Sequence, residues 1–494
     1  MQRNLATLAD NTFDLLIIGG GIFGAGVARD AALRGLSVAL VEQNDFASGT
    51  SSQSSKLIHG GFRYLEQYDF ALVAESCRER RILREIAPHR VKPLPLLLPV
   101  YKNDARPLWK LRLGMTLYDL LAMYRNVAAH RTLSAGDALA LEPTLRPDNL
   151  QGAILYYDCQ EDDARFCIDN ILHAVELGAT CANYCEVIGF NQNDGTLTSA
   201  VVRDHLGKRS FEIKARAFVN AAGPWVRKTA LAAGHGFKLP RLSPTKGVHL
   251  LLPQLTQSHG IFFQGSRDSR MMFALPWNDC TLIGTTDTDF RGDPGDVHPN
   301  RQDVEYLLAE SNALFPGRHL TPGDVVTSFA GVRPLLGSRT NEPSSRSRSH
   351  EISRTCENML SLAGGKYTTY RLIAQRTVDA IFQILDLKPR LCTTGKCPMP
   401  DFRPPPEGER ISDSPLVHQS DVQSAVRNEM AQSVEGVMRR RVGLTLSAVG
   451  NSMKTIEAVA GIMGPLMGWS EEQCRKSIDA YLHEMQRNGA PAER

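Results

Sequence analysis

Near its start the chain reads Phe13-Asp-Leu-Leu-Ile-Ile-Gly-Gly-Gly-Ile-Phe-Gly-Ala-Gly26. The apolar run predicts a buried strand, and the Ala-rich residues after the glycines predict a helix. In the pattern Gly19-x-Gly21-x-x-Gly24, the first glycine allows a tight turn, the second lets the backbone approach a pyrophosphate, and the third lets the helix sit close to the strand. This start predicts an α/β domain of the Rossmann type, with a dinucleotide pyrophosphate at the helix N-terminus.

Two features that follow the glycines extend this prediction. A second apolar run, Val38–Val41, ends in Glu42, whose carboxylate is expected to accept hydrogen bonds from a ribose. Six of the eight residues from Ser48 to Ser55 then carry hydroxyl groups, so this loop offers many donors to phosphate and ribityl oxygens, although an ordinary polar loop remains the alternative. The candidate cofactor contacts here are Thr50, Ser51, Ser52, Ser55, Lys56 and Leu57.

The segment Thr50-Ser-Ser-Gln-Ser-Ser-Lys-Leu-Ile-His-Gly-Gly-Phe-Arg-Tyr-Leu65 resembles a motif of the FAD-dependent glycerol-3-phosphate dehydrogenases. The resemblance covers nearly the whole chain and implies noncovalent FAD, which would also contact Gly223, Asp287, Gly365 and Thr368. It implies oxidation of sn-glycerol 3-phosphate to dihydroxyacetone phosphate, with electrons passed to a membrane quinone. Further matching segments follow in the family's order: Asn220-Ala-Ala-Gly-Pro-Trp225, Lys246-Gly-Val-His249, Ile283-Gly-Thr-Thr-Asp287, Gly331-Val-Arg-Pro334 and Gly364-Gly-Lys-Tyr-Thr-Thr-Tyr370.

The substrate implied by the resemblance is a phosphate ester, which a guanidinium fork and a lysine ammonium can clamp. Arg63, Arg333 and Lys366 lie beside glycines or tight turns within the matching segments, not on a charged helical face. We therefore predict that these three residues bind the phosphate, and that Arg333 and Lys366 also serve catalysis. Tyr64 and Thr369 are expected to add hydroxyl groups to the substrate site.

Oxidation of an alcohol also needs a base for the hydroxyl proton, and histidine suits that role with an unperturbed pKa of about 6.5. We predict His249, on a strand of the substrate domain, as the base. His59 is the rival candidate and is better suited to supporting the cofactor loop. A packed core histidine is the alternative for both positions.

Composition restricts the class of protein. The 494 residues suffice for two or three domains, and a net charge of +3 gives no argument for a nucleic-acid partner. The sequence has no run of about 18 apolar residues, so it predicts no membrane span. Its polar first residues do not resemble a secretory signal. The ten cysteines lack CxxC spacing, so we expect reduced thiols and no metal site in a cytoplasmic protein.

A segment from Arg106 to Arg125 mixes basic residues, Trp109, Tyr118 and aliphatic residues at roughly helical spacing. Basic amphipathic segments with aromatic residues can lie at a lipid interface, whereas a helix packed on its own domain is the alternative. Together with the resemblance, this segment predicts peripheral attachment to the inner face of the cytoplasmic membrane. The sequence leaves a monomer and a homo-oligomer open.

The predicted architecture is interleaved. A Rossmann-like FAD-binding domain of the glutathione-reductase and D-amino-acid-oxidase type occupies residues 1–90, 151–234 and 331–395, and an antiparallel-sheet substrate domain occupies 91–150 and 235–330. A linker over 396–414 leads to a helical C-terminal domain over 415–494. The polar segment Gly337–His350 fits the family pattern poorly and is a candidate lid.

Three other functions stay open. A sister enzyme would oxidise another polyol phosphate, such as erythritol phosphate, with nearly the same motifs. An oxidase would pass electrons to oxygen instead of quinone. A flavin-binding regulatory protein would bind the cofactor without turnover, but the presence of His249, Arg333 and Lys366 argues against it.

Overall fold

Two large sheets alternate along the chain. The computed structural model describes residues 1–234, 241–268, 270–337 and 349–489. The strands of these residues are β1 (Thr12–Ile18), β2 (Val38–Val41), β3 (Leu57–Ile58), β4 (Lys92–Tyr101), β5 (Arg131–Leu133), β6 (Leu150–Gln160), β7 (Thr180–Ala182), β8 (Cys185–Asn193), β9 (Thr196–Asp204), β10 (Arg209–Asn220), β11 (Thr245–Pro253), β12 (Gly260–Gln264), β13 (Met271–Trp277), β14 (Cys280–Gly284), β15 (Thr288–Asp289), β16 (Thr327–Arg333), β17 (His350–Cys356), β18 (Met359–Gly364), β19 (Arg410–Asp413) and β20 (Leu416–His418).

Helices cover the faces of both sheets and form most of the C-terminal part. Several short 3-10 turns join the elements, including Thr50–Ser52 and Tyr367–Thr369. The α-helices of the described residues are α1 (Leu5–Asp10), α2 (Ile22–Leu33), α3 (Phe70–Ile86), α4 (Leu108–Leu121), α5 (Ala135–Leu141), α6 (Asp163–Glu176), α7 (Val226–Ala232), α8 (Arg301–Leu314), α9 (Tyr370–Ile384), α10 (Gln419–Asn428), α11 (Val434–Arg440), α12 (Met453–Met467) and α13 (Glu471–Arg487).

The first sheet has a parallel centre in the order β18-β10-β1-β2-β7, flanked by the antiparallel strands β17, β9 and β8. Parallel strands need crossover connections, and α2 supplies the one between β1 and β2. The apolar residues of β1 are nearly all buried because helices cover one face of the sheet and the β8–β9 ribbon packs on the other. This is the Rossmann-like domain predicted from the glycine pattern.

The second sheet is mainly antiparallel, in the order β15-β11-β14-β13-β12-β4-β6-β3, with β16 paired to β11 and β5 paired to β6. One of its faces packs against α5 and α8, and the other packs against α3 and α4. The chain enters this sheet twice, through β3–β6 and through β11–β16, and returns to the first sheet after each visit. The interleaved fold class predicted from the sequence is therefore confirmed.

The predicted domain boundaries differ from the observed sheets at two places. β6 pairs along its length with β4, so residues 151–160 belong to the second sheet and not to the cofactor domain. β16 likewise carries the second sheet to Arg333, past the boundary placed after residue 330. The amino-acid composition cannot show where the chain passes from one sheet to the other, because the strands of both sheets are equally apolar and buried.

Strand β4 was not anticipated, since it contains Pro93, Pro95 and Pro99. Proline lacks an N–H group and is normally confined to the edges of sheets. All three prolines lie at positions of one parity, so the missing N–H groups fall on one side of the strand. On β4, only Leu96 and Leu97 pair with β12, whereas the β6 side pairs over the whole strand.

The C-terminal domain, residues 410–489, has its own apolar core built by α10–α13. The helical domain predicted over 415–494 begins with two separate helices, since α10 ends at Asn428 and α11 begins at Val434. A hairpin of β19 and β20 occupies 410–418, where the sequence predicted the end of a linker. The candidate lid Gly337–His350 lies largely outside the described residues.

Three general features bear on function. Among the described helices, none combines the length and apolar character needed to cross a bilayer. All ten cysteines are free thiols. Within the same described ranges, no group of three or more His, Cys, Asp or Glu side chains could hold a metal ion.

The first turn of α2 depends on close packing against β1. A Cβ atom on Gly24 would overlap the carbonyl oxygen of Gly19, which is a backbone atom and cannot move aside. Gly19 itself has φ +111°, and a Cβ there would lie 2.6 Å from the carbonyl oxygen of Ala221. The glycines are therefore required by the approach of three backbone segments.

We expect Gly24→Ala to lower the thermal unfolding midpoint of the protein. The overlap costs about 1–3 kcal/mol, as other overpacked substitutions do. Gly461→Ala is the matched control, because Gly461 lies inside α12 with open space around a Cβ atom. It should stabilise the protein by about 0.5–1 kcal/mol. Equal effects of the two substitutions in differential scanning fluorimetry would contradict the packing argument.

Candidate active site

An elongated cavity of about 450 Å³ lies between the two sheets. Its lining includes Glu42, Ile188 and Lys228, together with Gly19 and Gly21 of the glycine turn. The lining also includes polar and charged side chains from both sheets, namely His59, Arg63, Tyr64, His249, Asp287, Arg333, Lys366 and Thr368. The cavity thus joins the predicted cofactor turn to the predicted substrate residues.

Glu42 lies at the end of β2 and lines the cavity, as its position after the strand predicts. Its carboxylate accepts backbone N–H groups from Gly20 at 2.7 Å and from Asn44 at 2.9 Å. Burial raises the pKa of Glu42 above its usual range, and these two hydrogen bonds oppose that effect only in part. The carboxylate is therefore fixed by the turn that it faces.

The cofactor loop, residues 43–56, connects β2 of the first sheet to β3 of the second. Thr50, Ser51 and Ser55, with Leu57 just after the loop, line the cavity. The Ser51 hydroxyl accepts the N–H group of Ile22 at 2.9 Å, and the Thr50 hydroxyl donates to the carbonyl of Val332 at 2.7 Å. The loop is thereby bonded to the start of α2 and to β16.

Two residues of this loop do not lie where the sequence placed them. Lys56 is buried beneath the loop, where its ammonium group pairs with Asp163 and donates to the carbonyl of Ser52 at 3.0 Å. Neither Lys56 nor Ser52 is among the residues that line the cavity. Lys56 supports the loop from beneath, because a buried ammonium needs an anion and acceptors around it, and the cofactor contacts of Lys56 and Ser52 stay predictions.

His249 lies in the middle of β11 and lines the cavity. Its Nε2 atom is 2.8 Å from the Ser55 hydroxyl, its ring stacks on Phe329 at 4.9 Å between centroids, and its buried Nδ1 atom has no hydrogen-bond partner. The ring fits because a side chain on Gly284 of the neighbouring strand would collide with it. Burial, then the charges of Arg333 and Lys56, hold the pKa of His249 well below its usual 6.5.

Arg333 ends β16, and its guanidinium lies flat over Gly247, where any side chain would overlap it. Its Nη1 atom pairs with Asp287 at 3.1 Å, and its Nη2 atom donates to the Thr285 hydroxyl at 2.8 Å. Asp287, predicted as a cofactor contact, thus lines the cavity as a partner of Arg333. The guanidinium is held in one orientation at the cavity wall.

Lys366 precedes the 3-10 turn that leads into α9. Its buried ammonium donates to the Ser76 hydroxyl at 2.6 Å and lies 4.5 Å from the centre of the Tyr64 ring. Burial lowers the pKa of Lys366 below its usual range. The Arg63 guanidinium also contacts Tyr64. It lies 5.0 Å from the centre of the Tyr64 ring and 3.2 Å from the Tyr64 hydroxyl. Tyr64 therefore joins two cationic side chains.

The remaining predicted residues divide between the cavity wall and its support. Gly223 and Gly365 line the cavity with left-handed backbones, at φ +53° and +84°, and Thr368 lines it while accepting the N–H group of His59 at 3.2 Å. Thr369, predicted to bind substrate, lies behind the wall and donates to the carbonyl of Lys366 at 3.3 Å.

One group of wall residues was missed by the sequence reasoning. Asp158, on β6, lines the cavity and accepts hydrogen bonds from the N–H of Gly60 at 3.0 Å and from the Tyr118 hydroxyl at 2.9 Å. Arg80 of α3 forms a buried ion pair with the same carboxylate. No local motif marks these residues, since they meet only through the pairing of β6 with β3 and β4.

The cavity fits a flavin dinucleotide. Its lining runs from the first sheet to the second, the glycine turn opens a helix N-terminus to it, and the carboxylate of Glu42 stands where the glycine pattern predicts a ribose contact. At Gly223 a Cβ atom would meet open space, so the backbone there borders the cavity directly. These observations agree with the dinucleotide site that the glycine pattern predicted.

Comparisons with known proteins agree with this geometry. Residues 14–371 match the family described as FAD dependent oxidoreductase, and residues 386–474 match the C-terminal domain of alpha-glycerophosphate oxidase. A glycerol-3-phosphate dehydrogenase from Synechocystis sp. is 33% identical, with 99% of both chains covered. The chain belongs to the FAD-dependent glycerol-3-phosphate dehydrogenase family. FAD is its cofactor.

Further relatives include both dehydrogenases and oxidases. An aerobic glycerol-3-phosphate dehydrogenase of Bacillus subtilis is 38% identical over 77% of this chain and 68% of the relative. An alpha-glycerophosphate oxidase of Streptococcus pneumoniae is 38% identical over 78% of this chain and 73% of the relative. The solved glycerol-3-phosphate dehydrogenase of Bacillus halodurans, complexed with FAD, superposes with a TM-score of 0.78 at 29% identity, covering 99% of this chain and 97% of that one.

The position of Lys366 leads to a prediction about Ser76. A hydrogen bond to a charged group contributes about 1.5–3 kcal/mol, so Ser76→Ala should leave the ammonium less well oriented and its pKa lower still. We expect the Ser76→Ala holoenzyme to bind inorganic phosphate about tenfold more weakly, as measured by the change in flavin absorbance. As the pH is raised, phosphate binding should be lost at a lower pH than in the unsubstituted protein, because Lys366 loses its charge earlier.

Ser311→Ala is the matched control for this experiment. Both serines are buried in helices and donate to the carbonyl four residues earlier, Ser76 to Leu72 at 2.6 Å and Ser311 to Leu307 at 2.7 Å. Only Ser76 also accepts a bond from Lys366. If both substitutions weaken phosphate binding equally, Ser76 has no specific role in the site.

Proposed function

We propose that this protein oxidises sn-glycerol 3-phosphate to dihydroxyacetone phosphate and passes the electrons to a membrane quinone. The observation that carries the proposal is the cluster of Arg63, Arg333 and Lys366 with His249 in the wall of the cofactor cavity. Three cationic groups suit a dianionic phosphate, and a neutral imidazole suits the proton of an alcohol. The names of the relatives support the same substrate.

The residues of the wall would hold FAD along the cavity. Glu42 would accept hydrogen bonds from the adenosine ribose, the turn at Gly21 and the start of α2 would receive the pyrophosphate, and Gly223 and Gly365 would let the backbone approach the cofactor. When bound, FAD supplies the acceptor for the hydride that leaves C2 of the substrate. The first N–H groups of the turn after Lys366, those of Tyr367 and Thr368, would face the flavin ring.

His249 would take the proton of the C2 hydroxyl. Its lowered pKa keeps the imidazole unprotonated at neutral pH, which is the form that can accept a proton. The charges that lower this pKa are those of Arg333 and Lys56. A dianionic phosphate bound against Arg333 would offset the positive potential and raise the pKa of His249, so the substrate itself would make the base stronger. Ser55 would hold the ring through Nε2.

The clamp would fix the phosphate by charge and geometry together. Arg333 is oriented by Asp287 and Thr285, and Lys366 is oriented by Ser76 and Tyr64. Groups whose rotamers are already fixed lose little conformational freedom when the ligand binds. This arrangement supports a small phosphorylated polyol over an unphosphorylated one.

An anaerobic titration tests the substrate. We expect sn-glycerol 3-phosphate to bleach the flavin more efficiently than erythritol phosphate or glycerol. Arg333→Ala should lower kcat/KM for the phosphorylated substrate by more than 30-fold, because losing one partner of a charged pair costs about 2–5 kcal/mol. Activity toward glycerol should change little.

The control for that substitution is Arg301→Ala, at an exposed pair with Glu305 on α8. It should leave both activities unchanged, since exposed pairs contribute about 0–1 kcal/mol. Equal losses on both substrates in Arg333→Ala would assign Arg333 a structural role. Faster bleaching by another polyol phosphate would replace the substrate proposed here.

The route for electrons to a quinone is proposed from α4. This helix buries Leu111, Met115 and Tyr118 against its own domain and leaves a second stripe exposed. Trp109 and Leu113 in that stripe are 70% and 66% exposed, and Leu120, Met123 and Tyr124 continue it. An exposed apolar stripe beside basic residues suits attachment to the inner face of the cytoplasmic membrane.

We expect the double substitution Trp109→Ser with Leu113→Ser to weaken sedimentation with anionic liposomes at least tenfold, because each buried apolar side chain contributes about 1.5–3 kcal/mol. Turnover with a long-tailed quinone in liposomes should fall with it, whereas turnover with a soluble dye should not. Leu231→Ser with Leu391→Ser is the control, since both leucines are exposed outside this stripe.

Two results would redirect this proposal. Unchanged liposome binding in the α4 variant would place the membrane contact elsewhere. Rapid oxygen consumption with stoichiometric peroxide, independent of quinone, would favour an oxidase, the activity named for the Streptococcus pneumoniae relative.

A further inference from the structure

The C-terminal domain is attached to the cofactor loop through one buried carboxylate. Asp45 accepts two hydrogen bonds from the guanidinium of Arg441, one of them at 2.9 Å, and one from Nε of Arg440 at 3.0 Å. All three side chains are buried. The arginines end α11 and follow it, so residues almost 400 positions away in sequence fix this point of the loop.

Asp45 also organises the surrounding backbone. Its Oδ1 atom accepts the N–H group of Phe46 at 2.9 Å and the side-chain amide of Asn183 at 2.8 Å. Asn183 in turn donates to the carbonyl of Met430 in the C-terminal domain at 2.9 Å. Burial alone would raise the pKa of Asp45, but Arg441 and then Arg440 outweigh burial and lower it to about 2. The carboxylate is therefore charged at neutral pH.

The loop held in this way forms the cavity wall on both sides of Asp45. Glu42 and Gln43 line the cavity before it, and Ser48 to Ser51 line it after it. The carbonyl of Asp45 accepts the N–H group of Ser48 at 3.1 Å, and the N–H group of Ala47 donates to the carbonyl of Gly20 at 3.0 Å. A displacement of Asp45 would therefore move the ribose carboxylate and the hydroxyl-bearing wall together.

We propose that Arg440 and Arg441 are positioning residues for FAD, so that docking of the C-terminal domain sets how tightly the cofactor is held. They act through Asp45 and are not among the residues that line the cavity. This inference rests on the FAD site and not on the identity of the substrate, so the two can fail separately.

The same interface contains a second buried ion pair that serves as a matched control. Glu429 of the C-terminal domain accepts a hydrogen bond from Arg165 of α6 at 2.6 Å. Arg165 keeps Asp169 as a second partner, at 2.8 Å from Nε. No residue of α6 lines the cavity. Glu429→Gln thus weakens domain docking by changing only the side chain that bonds Arg165, and it keeps the Glu429 carbonyl, which accepts a hydrogen bond from Arg441 at 2.8 Å.

The experiment measures release of FAD from the purified holoenzyme after dilution, by the rise in FAD fluorescence. Asp45→Asn and Arg441→Met should release FAD at least tenfold faster than the unsubstituted protein, and excess FAD should restore full flavin content. Glu429→Gln should change the release rate less than threefold, even if its thermal unfolding midpoint falls as far as those of the Asp45 and Arg441 variants. Arg440→Lys, which keeps a positive charge beside Asp45, should lie between these extremes.

Two outcomes overturn the inference. The first is an unchanged release rate in Asp45→Asn or Arg441→Met while circular dichroism shows a folded protein. The second is equal acceleration in Glu429→Gln and in the Asp45 or Arg441 variants, which would reduce the arginines to general stabilisers of the interface. If Asp45→Asn and Arg441→Met do not fold, Arg440→Lys against Glu429→Gln decides by the same comparison.

Discussion

The buried ion pair of Lys56 with Asp163 is the interaction on which both halves of the site depend. Lys56 adopts a left-handed backbone with φ 58° at the end of the cofactor loop, which an L-residue holds only where its surroundings fix it. From this point the loop bonds to the start of α2 through Ser51 and to the base candidate through Ser55. Removing one partner of such a pair costs about 3–5 kcal/mol, because the other charge remains buried.

The sequence predicted the parts of this site that are local in the chain. Gly19, Gly21 and Gly24 lie where their spacing requires, since a strand, a turn and a helix follow one another without interruption. His249 and Arg333 line one cavity, as the resemblance implied, although 84 residues separate them in sequence. Motif order thus selected residues that line one cavity, and the glycine pattern predicted the dinucleotide class of the cofactor.

Whether a predicted residue lines the cavity or lies behind its wall depends on the direction in which its side chain points. Lys56 and Ser52 sit in a segment rich in cavity residues but lie beneath it, and Thr369 lies behind Thr368 in the same turn. A motif fixes positions along the backbone, whereas the wall is chosen by the conformation of each residue. Asp158 was missed for the opposite reason, because β6 was assigned to the other sheet.

Apart from Phe46 and Ala47, which pack into the core, the cofactor loop carries mostly polar residues that have little apolar surface to bury, so packing alone fixes only one part of it. Buried ion pairs do this instead, at both ends. Lys56 is held by Asp163 within the cofactor domain, and Asp45 is held by Arg440 and Arg441 from the C-terminal domain. Between these points Thr50, Ser51 and Ser55 line the cavity, and each hydroxyl group is oriented by a hydrogen bond to a neighbouring segment. The C-terminal domain is therefore part of the cofactor site, although it supplies no residue to the wall.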